Sequence, residues 1–387
     1  MHTAVKIAPN YEHGVVYVAD ASRAVGVVSA LLSETQKPEY MAGINRKYAE
    51  TRERFASRGP NKKLIPFAEA RANAFRPDFT AYTPPKPVKP GLHVLDDVTF
   101  DDLRPYIDWS PFFYTWGLMM KYPRIFEDTN IGEEAKKLYK DAQDMIEKFK
   151  SDGRIRPRGV VGIFPAASVD EDIIVYADEA RGGEKDRIIG LRQQLVREGG
   201  KPNYSLADFI APQSSGVSDY IGCFAVTAGD GLEQIVAEYE AAHDSYGSMM
   251  AKAVADRFAE AFAEYLHERV RREFWGYAPD EALDIDGLIA EGYQGIRPAP
   301  GYPANPDHTQ KLALWRMLDA EENTGIRLTE SLAMWPASSV SGFYFSHPDS
   351  YYLSIHQIGR DQLEDYARRR GIDIKEAERW LAPVLDM

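Results

Sequence analysis

The stretch Arg297-Pro298-Ala299-Pro300-Gly301-Tyr302-Pro303-Ala304 constrains this chain more than any other. Its three prolines fix φ and remove three N–H donors, which excludes helix and central strand and leaves a stiff, extended loop. Gly301 permits a turn or a close backbone approach, Arg297 offers a fork for a carboxylate, and Tyr302 offers an aromatic face with a polar tip. Together they would floor a site for a small zwitterion. The same residues also suit a surface connector, with Arg297 paired to an acid and Tyr302 packed.

A chain of 387 residues with 44% hydrophobic content can bury a sizeable core in one large domain or two. Its formal charge of −13 argues against a nucleic-acid or anionic-membrane surface. No apolar run is long enough to cross a bilayer, and the N-terminus lacks a charged region followed by an apolar one, so no export is expected. Cys223 is the one cysteine, which excludes an internal disulfide or a multi-cysteine zinc site. It reads as a small buried hydrophobe in a protein of the reducing cytoplasm.

Residues 14–20 read as a short strand, and Ala21–Leu32 as a helix capped by Asp20 or Ser22. A highly charged helix over 39–57 follows, stopped by Arg58-Gly59-Pro60-Asn61-Lys62-Lys63. The segment to about residue 92, with Thr83-Pro84-Pro85-Lys86-Pro87-Val88-Lys89-Pro90, reads as a linker that wraps rather than packs. Residues 100–150 read as helical, with an apolar stripe through Ala135, Leu138, Ala142 and Ile146. Strands are expected over 159–165, Asp172–Tyr176 and 222–227, and a charged helix and loop over 183–203. The unequal connections between strands favour an α+β fold, a twisted antiparallel sheet flanked by helices, over a regular βαβ ladder.

The longest helical region spans 233–275, interrupted near Ser245-Tyr246-Gly247. Its second part sets Met250, Val254, Phe258, Phe262 and Leu266 on an apolar face, and Asp256, Glu260 and Glu264 in an acidic stripe. Like charges at that spacing cost a few tenths of a kcal/mol, so the stripe faces solvent or something cationic. Beyond the proline loop, 309–320 reads as helix and 326–330, 340–346 and 351–355 as strands, with a turn at 347–350. Helices Arg360–Arg370 and Ile374–Leu381 close the chain around Gly371.

Gly295-Ile296 and the eight residues that follow closely resemble the S-adenosylmethionine-binding loop of the activation domain of cobalamin-dependent methionine synthase. Further blocks run in that family's order over roughly residues 76–387. They are Tyr106-Ile107-Asp108-Trp109, Arg156-Pro157-Arg158-Gly159-Val160-Val161-Gly162, Leu206-Ala207-Asp208-Phe209, Asp219-Tyr220-Ile221-Gly222, His267-Glu268-Arg269-Val270 and Ser341-Gly342-Phe343-Tyr344-Phe345-Ser346-His347-Pro348. The resemblance implies a non-Rossmann S-adenosylmethionine site made by Asp108, Glu260, Arg297, Ala299, Gly301, Tyr302, Tyr352 and Leu353. Read from the residues alone, Asp108 fits equally as the cap of a helix starting at Ser110-Pro111, and Tyr352 as a sheet residue. No Gly-x-Gly-x-x-Gly stands between a strand and a helix, which agrees with a non-Rossmann site. The ligand's chemistry agrees too: Arg297 suits its carboxylate, Asp108 with Glu260 its ammonium and sulfonium, and residues 299–302 its adenine.

The resemblance also implies a division into 1–35, the terminal strand-helix remnant of a cobalamin-binding domain, 36–92, a helical and Pro-rich linker, and 93–387, the activation domain. Met1 would then stand at a cut or a split-gene start. None of the eight histidines lies in the Asp-x-His-x-x-Gly motif that ligates cobalt, so cobalamin is expected to be held by another domain. The implied activity is repair in methionine biosynthesis: cob(II)alamin is reduced by flavodoxin or a flavoprotein reductase and methylated by S-adenosylmethionine to methylcobalamin. The whole enzyme would be a 5-methyltetrahydrofolate–homocysteine methyltransferase, whose homocysteine and folate modules this chain lacks. No protein acid or base is required, and Tyr302 is expected to approach the corrin face. Arg269, Arg271 and Arg272, or Arg368 to Arg370, are candidates for docking an acidic flavodoxin, or else solvated helix ends.

Two readings of other classes stand beside this one. The first is a non-catalytic module that binds S-adenosylmethionine or docks a partner. The second is a di-iron carboxylate protein, from the Glu-x-x-His pairs Glu240/His243 and Glu264/His267. On one continuous helix those pairs would lie roughly 36 Å apart, so they could share metals only if the chain reversed near Gly247.

Overall fold

The computed structural model describes residues 1–18, 21–57 and 63–385. They divide into two units, Met1–Lys63 and Leu64–Met387. The first is helical: a π-helical turn Thr3–Ile7 and a 3-10 turn Ala8–Asn10 precede helices Ala21–Leu32 and Lys37–Ser57. The strand expected over 14–20 is corrected, because residues 14–18 join no ladder. A strand with no neighbouring edge leaves its backbone donors and acceptors unpaired. Here the Tyr17 N–H donates instead to the Tyr48 hydroxyl at 3.0 Å. The cap expected at Asp20 or Ser22 and the stop at 58–62 lie outside what is described.

In the second unit the strands are β1 (Gly91–Leu95), β2 (Arg158–Val169), β3 (Asp172–Tyr176), β4 (Glu184–Ile188), β5 (Asp219–Thr227), β6 (Arg327–Leu328), β7 (Met334–Trp335) and β8 (Ser339–Tyr344). All but β6 and β7 form one antiparallel sheet in the order β4-β3-β2-β5-β8, with β1 alongside the first half of β2. The expected α+β architecture is the one found. Alternation along the strands sorts side chains to two cores. Val161, Ile163, Phe224 and Val226 pack with Ile146, Phe258 and Phe262 from helices Gly132–Asp152 and Ser245–Arg269. Val160, Phe164, Cys223 and Phe343 pack with Leu314, Met317 and Leu363 from helices Gln310–Leu318 and Arg360–Arg370. Cys223 is the small buried hydrophobe expected, its thiol pushed up by burial.

Three local expectations are revised. Residues 183–203 hold β4 rather than a helix: Glu184-Lys185-Asp186-Arg187 is a charged edge strand, the composition that protects a sheet edge from further pairing. Residues 351–355 form no strand, although Leu353 and Ile355 are buried. Ile355 donates to the Pro303 carbonyl at 2.7 Å, and a proline has no N–H to return. The segment before β1 wraps, as its prolines imply, but it also packs. Phe67 and Phe79 are buried, Lys89 N–H reaches the Phe274 carbonyl at 2.8 Å, and Trp275 Nε1 reaches the Pro85 carbonyl at 2.9 Å.

Under this strap lies a buried charge cluster. Arg192, 2% exposed, donates to both oxygens of Asp208 at 2.8 and 2.7 Å and to Glu171 at 2.7 Å. Glu171 also accepts from Arg71 at 2.5 Å, and these cations hold its carboxyl below the usual range against the opposing pull of burial. Removing one partner of such a cluster strands the others unpaired in a desolvated site. Arg192→Met is therefore expected to lower stability by about 3–5 kcal/mol in urea unfolding, and a loss below about 1 kcal/mol would contradict this account.

Candidate functional site

The proline-framed loop occupies the free edge of β8. Ile296 N–H donates to the Phe345 carbonyl at 3.1 Å, Phe345 N–H returns to Ile296 at 3.0 Å, and Phe343 N–H reaches the Pro298 carbonyl at 2.9 Å. Proline accepts but cannot donate, so such a run belongs at a sheet edge. Beyond Pro298 the chain turns tightly, with Asn305 N–H on the Tyr302 carbonyl at 2.9 Å and Gly301 N–H on the Asn305 carbonyl at 2.7 Å. Gly301 has φ of 93°, and a Cβ there would stand 2.1 Å from His308 Cε1. The glycine thus takes a left-handed backbone and makes room for an imidazole.

A cavity of about 720 Å³ opens on this loop, within the ~300–1,000 Å³ typical of small-molecule sites. The loop contributes Arg297, Ala299 and Tyr302; β7 and β8 contribute Met334 and Val340; Tyr352, Leu353 and Glu260 complete the walls used below. Glu260 keeps accessible surface through the cavity, yet the walls strip enough solvation from its carboxyl to push its pKa above the usual glutamate value. Tyr302 is 65% exposed, with its ring available at the mouth.

Arg297 is the electrostatic centre. Glu264 grips its guanidinium end-on, Oε1 accepting from Nη1 at 3.1 Å and Oε2 from Nη2 at 2.5 Å. Nη1 also faces the Tyr293 hydroxyl at 2.9 Å and His267 Nδ1 at 3.1 Å, while the Arg297 backbone N–H reaches the Tyr352 hydroxyl at 3.1 Å. Burial works against the Arg297 charge, but Glu264 more than restores it, so the group stays protonated. His267 lies opposite a cation, so Nδ1 accepts and the proton sits on Nε2. Burial first, then Arg297 and Arg271, hold this imidazole neutral, far below its ordinary pKa. Glu264 and His267 stand three apart on helix Ser245–Arg269, which puts both on the face that meets the loop. Tyr293 lies between two guanidinium groups, Arg271 at 4.1 Å and Arg297 at 5.9 Å from its ring centre.

Of the residues singled out from sequence, Glu260, Arg297, Ala299, Tyr302, Tyr352 and Leu353 line this one cavity. Gly301 sits behind the wall, against His308. Asp108 is not among the walls; its Oδ1 accepts the Ser110 N–H at 2.9 Å at the start of helix Ser110–Thr115. Sequence reasoning missed Glu264, His267 and Tyr293 as partners of Arg297, and His308 and Lys311 as walls. The sequence does carry a signal: Glu264 stands in both the acidic stripe and a Glu-x-x-His pair, a pattern that suggests metal, whereas its partner is an arginine. Glu240 instead accepts from Lys252 at 3.0 Å, and among the described residues no group of His, Cys, Asp and Glu could hold a metal ion. The candidate basic surface also narrows, since Arg271 is fully buried on Glu281 and Arg369 is largely buried between Asp172 and Asp365.

Residues 99–371 match the family described as vitamin B12 dependent methionine synthase, activation domain. A solved structure, described as the MetH reactivation domain bound to AdoHcy, is similar to this chain at 54% sequence identity. The similarity covers 84% of this chain and 99% of that one, with a TM-score of 0.82.

Gly301 gives a direct check on the wall. Gly301→Ala is expected to lose about 1–3 kcal/mol in thermal or urea unfolding, from a strained left-handed backbone and a displaced His308. Unchanged stability would contradict the arrangement.

Proposed function

Because this chain belongs to the activation-domain family of vitamin B12-dependent methionine synthase, we propose that the cavity above residues 297–304 binds S-adenosylmethionine and presents its methyl group to a cobalamin carried by another module. The observation that carries this reading is the meeting, in one cavity, of the Arg297 fork, the Glu260 carboxylate and the Tyr302 and Tyr352 rings. The related structure bound to AdoHcy supports it, since that molecule shares the adenosine and amino-acid parts of the ligand.

Each part of the ligand then has a counterpart. Its carboxylate meets Arg297, its ammonium and sulfonium face Glu260, and its adenosine lies along Ala299, Tyr302 and Leu353, with Gly301 shaping that wall from behind. A desolvated cation beside a carboxylate at 4 Å gains roughly 4 kcal/mol at an effective dielectric near 20, enough to offset much of the loss of water. When bound, cobalamin supplies the cobalt that accepts the methyl group. No histidine here stands in the cobalt-ligating motif, so the chain's own task is to bind, orient and desolvate the donor. The sulfonium carries its own leaving group, so no acid or base is assigned to the protein. Tyr302, exposed at the mouth, would be the residue to meet the corrin face.

The same reading makes the whole enzyme a 5-methyltetrahydrofolate–homocysteine methyltransferase, reactivated with an electron from flavodoxin or a flavoprotein reductase. Residues 1–35 are read as the end of a cobalamin-binding domain, 36–92 as its linker and 93–387 as the activation domain. No helix among the described residues is long and apolar enough to cross a membrane; we assign the protein to the cytoplasm on its single reduced cysteine. Asp108, although outside the cavity's walls, is kept as a second carboxylate for the ammonium, since among the described residues only its Oδ1 is engaged.

Titration calorimetry tests the assignment. Arg297→Ala is expected to weaken S-adenosylmethionine binding by at least about tenfold, and equal affinity would overturn the reading. Asp108→Asn with unchanged affinity would remove that residue from the site. The pH dependence has a definite sign. Glu260 opposes the ligand's cations only when ionised, so affinity should hold above its raised pKa and fall as pH drops through it. In Glu260→Gln that limb should vanish and affinity at neutral pH should drop; an identical pH profile in the two proteins would exclude the role. Mixing the chain with a cobalamin-binding module under reducing conditions should give methylation that depends on S-adenosylmethionine. Binding without methylation would favour a sensing or docking module instead.

A further inference from the structure

Arg297 has more donors than its partners use. Glu264 takes one hydrogen from each terminal nitrogen, and Tyr293 and His267 crowd the remaining hydrogen on Nη1. Among the described residues nothing accepts from Nε–H, and Nη2 has a hydrogen besides the one given to Glu264. Those two N–H groups run parallel along the side of the guanidinium, the edge on which a carboxylate binds bidentately. Arg297 lines the cavity with 21% of its side chain exposed, whereas Glu264 is buried and is not among the cavity's walls. Glu264 therefore takes the end-on edge of the guanidinium and, among the described residues, leaves the Nε/Nη2 edge unpaired.

We propose that Glu264 is a positioning residue: it does not compete with the ligand's carboxylate but holds the far end of Arg297 and turns the Nε/Nη2 edge toward it. The proposal rests on the S-adenosylmethionine reading above and extends it to a residue outside the cavity. An arginine held only at its backbone would sample many rotamers and present that edge part of the time. Glu264 is fixed by its place on a buried helix face, and its end-on grip leaves one orientation for the plane. His267 reinforces the same choice, because its neutral ring closes off Nη1 and leaves the Nε side as the open one.

The test is calorimetry with two ligands against wild type, Glu264→Gln and Glu264→Asp. S-adenosylmethionine carries the carboxylate; 5′-methylthioadenosine keeps the adenosine and thioether but has neither carboxylate nor charge. Gln keeps the length and removes the charge, while Asp keeps the charge and shortens the reach. If Glu264 positions Arg297, both variants should bind S-adenosylmethionine about tenfold more weakly and 5′-methylthioadenosine as wild type does. Tighter S-adenosylmethionine binding in Glu264→Gln would show a competitor and overturn the proposal. So would full affinity in Glu264→Asp, which would make charge rather than geometry the cause. Parallel weakening of both ligands would reduce Glu264 to a general structural role. If wild type binds S-adenosylmethionine and neither variant changes it, the positioning role alone falls; if wild type does not bind it, the functional reading falls with it.

Discussion

The site depends on a guanidinium that has been taken out of water. Arg297 cannot lose its proton, so burying it demands an anion with matching geometry, and Glu264 provides one at 2.5 and 3.1 Å. That pair joins two elements far apart in sequence, helix Ser245–Arg269 and the proline-framed loop. The loop's backbone bonds to β8, Tyr352 and Ile355 fix where it lies, but not what its arginine presents.

The rest of the fold makes that pairing possible. The loop can dock on the edge of β8 because prolines still offer carbonyls, as Pro298 does to Phe343. The helix is held at the right height by Phe258 and Phe262, which pack on one face of the sheet, while Leu314 and Met317 fill the other. A sheet covered on both faces is hard to deform, and a loop with three fixed φ angles loses little freedom on binding. The cavity is therefore largely preformed, which suits a task of orienting a reactive group rather than of donating or accepting protons.

Much of this was legible in the residues. The apolar runs that became β2, β3 and β5 announced themselves because a strand covered on both faces has no polar side to confuse the pattern. The loop was legible because proline chemistry admits so few conformations. What escaped was decided by neighbours rather than by local pattern. β4 looked like a charged helix because an edge strand carries charges for protection, and residues 14–20 looked like a strand because local composition says nothing about whether an edge is available. Six of the residues expected to share a site do line one cavity, but Asp108 stands outside its walls and Gly301 behind them. Glu264 was visible as an acid at helical spacing, yet its partner lies 33 residues away in another element, and no periodicity carries that information.

The central claim is that one cavity, set between the proline loop and the long helix, receives the amino-acid end of S-adenosylmethionine on Arg297. A crystal structure of this chain grown with that ligand tests it most directly. The expected result is a carboxylate on the Nε/Nη2 edge of Arg297, with the sulfonium in the cavity that Glu260 and Tyr302 line. Density for the ligand at any other place on the chain, with the Nε/Nη2 edge of Arg297 still empty, would contradict the account.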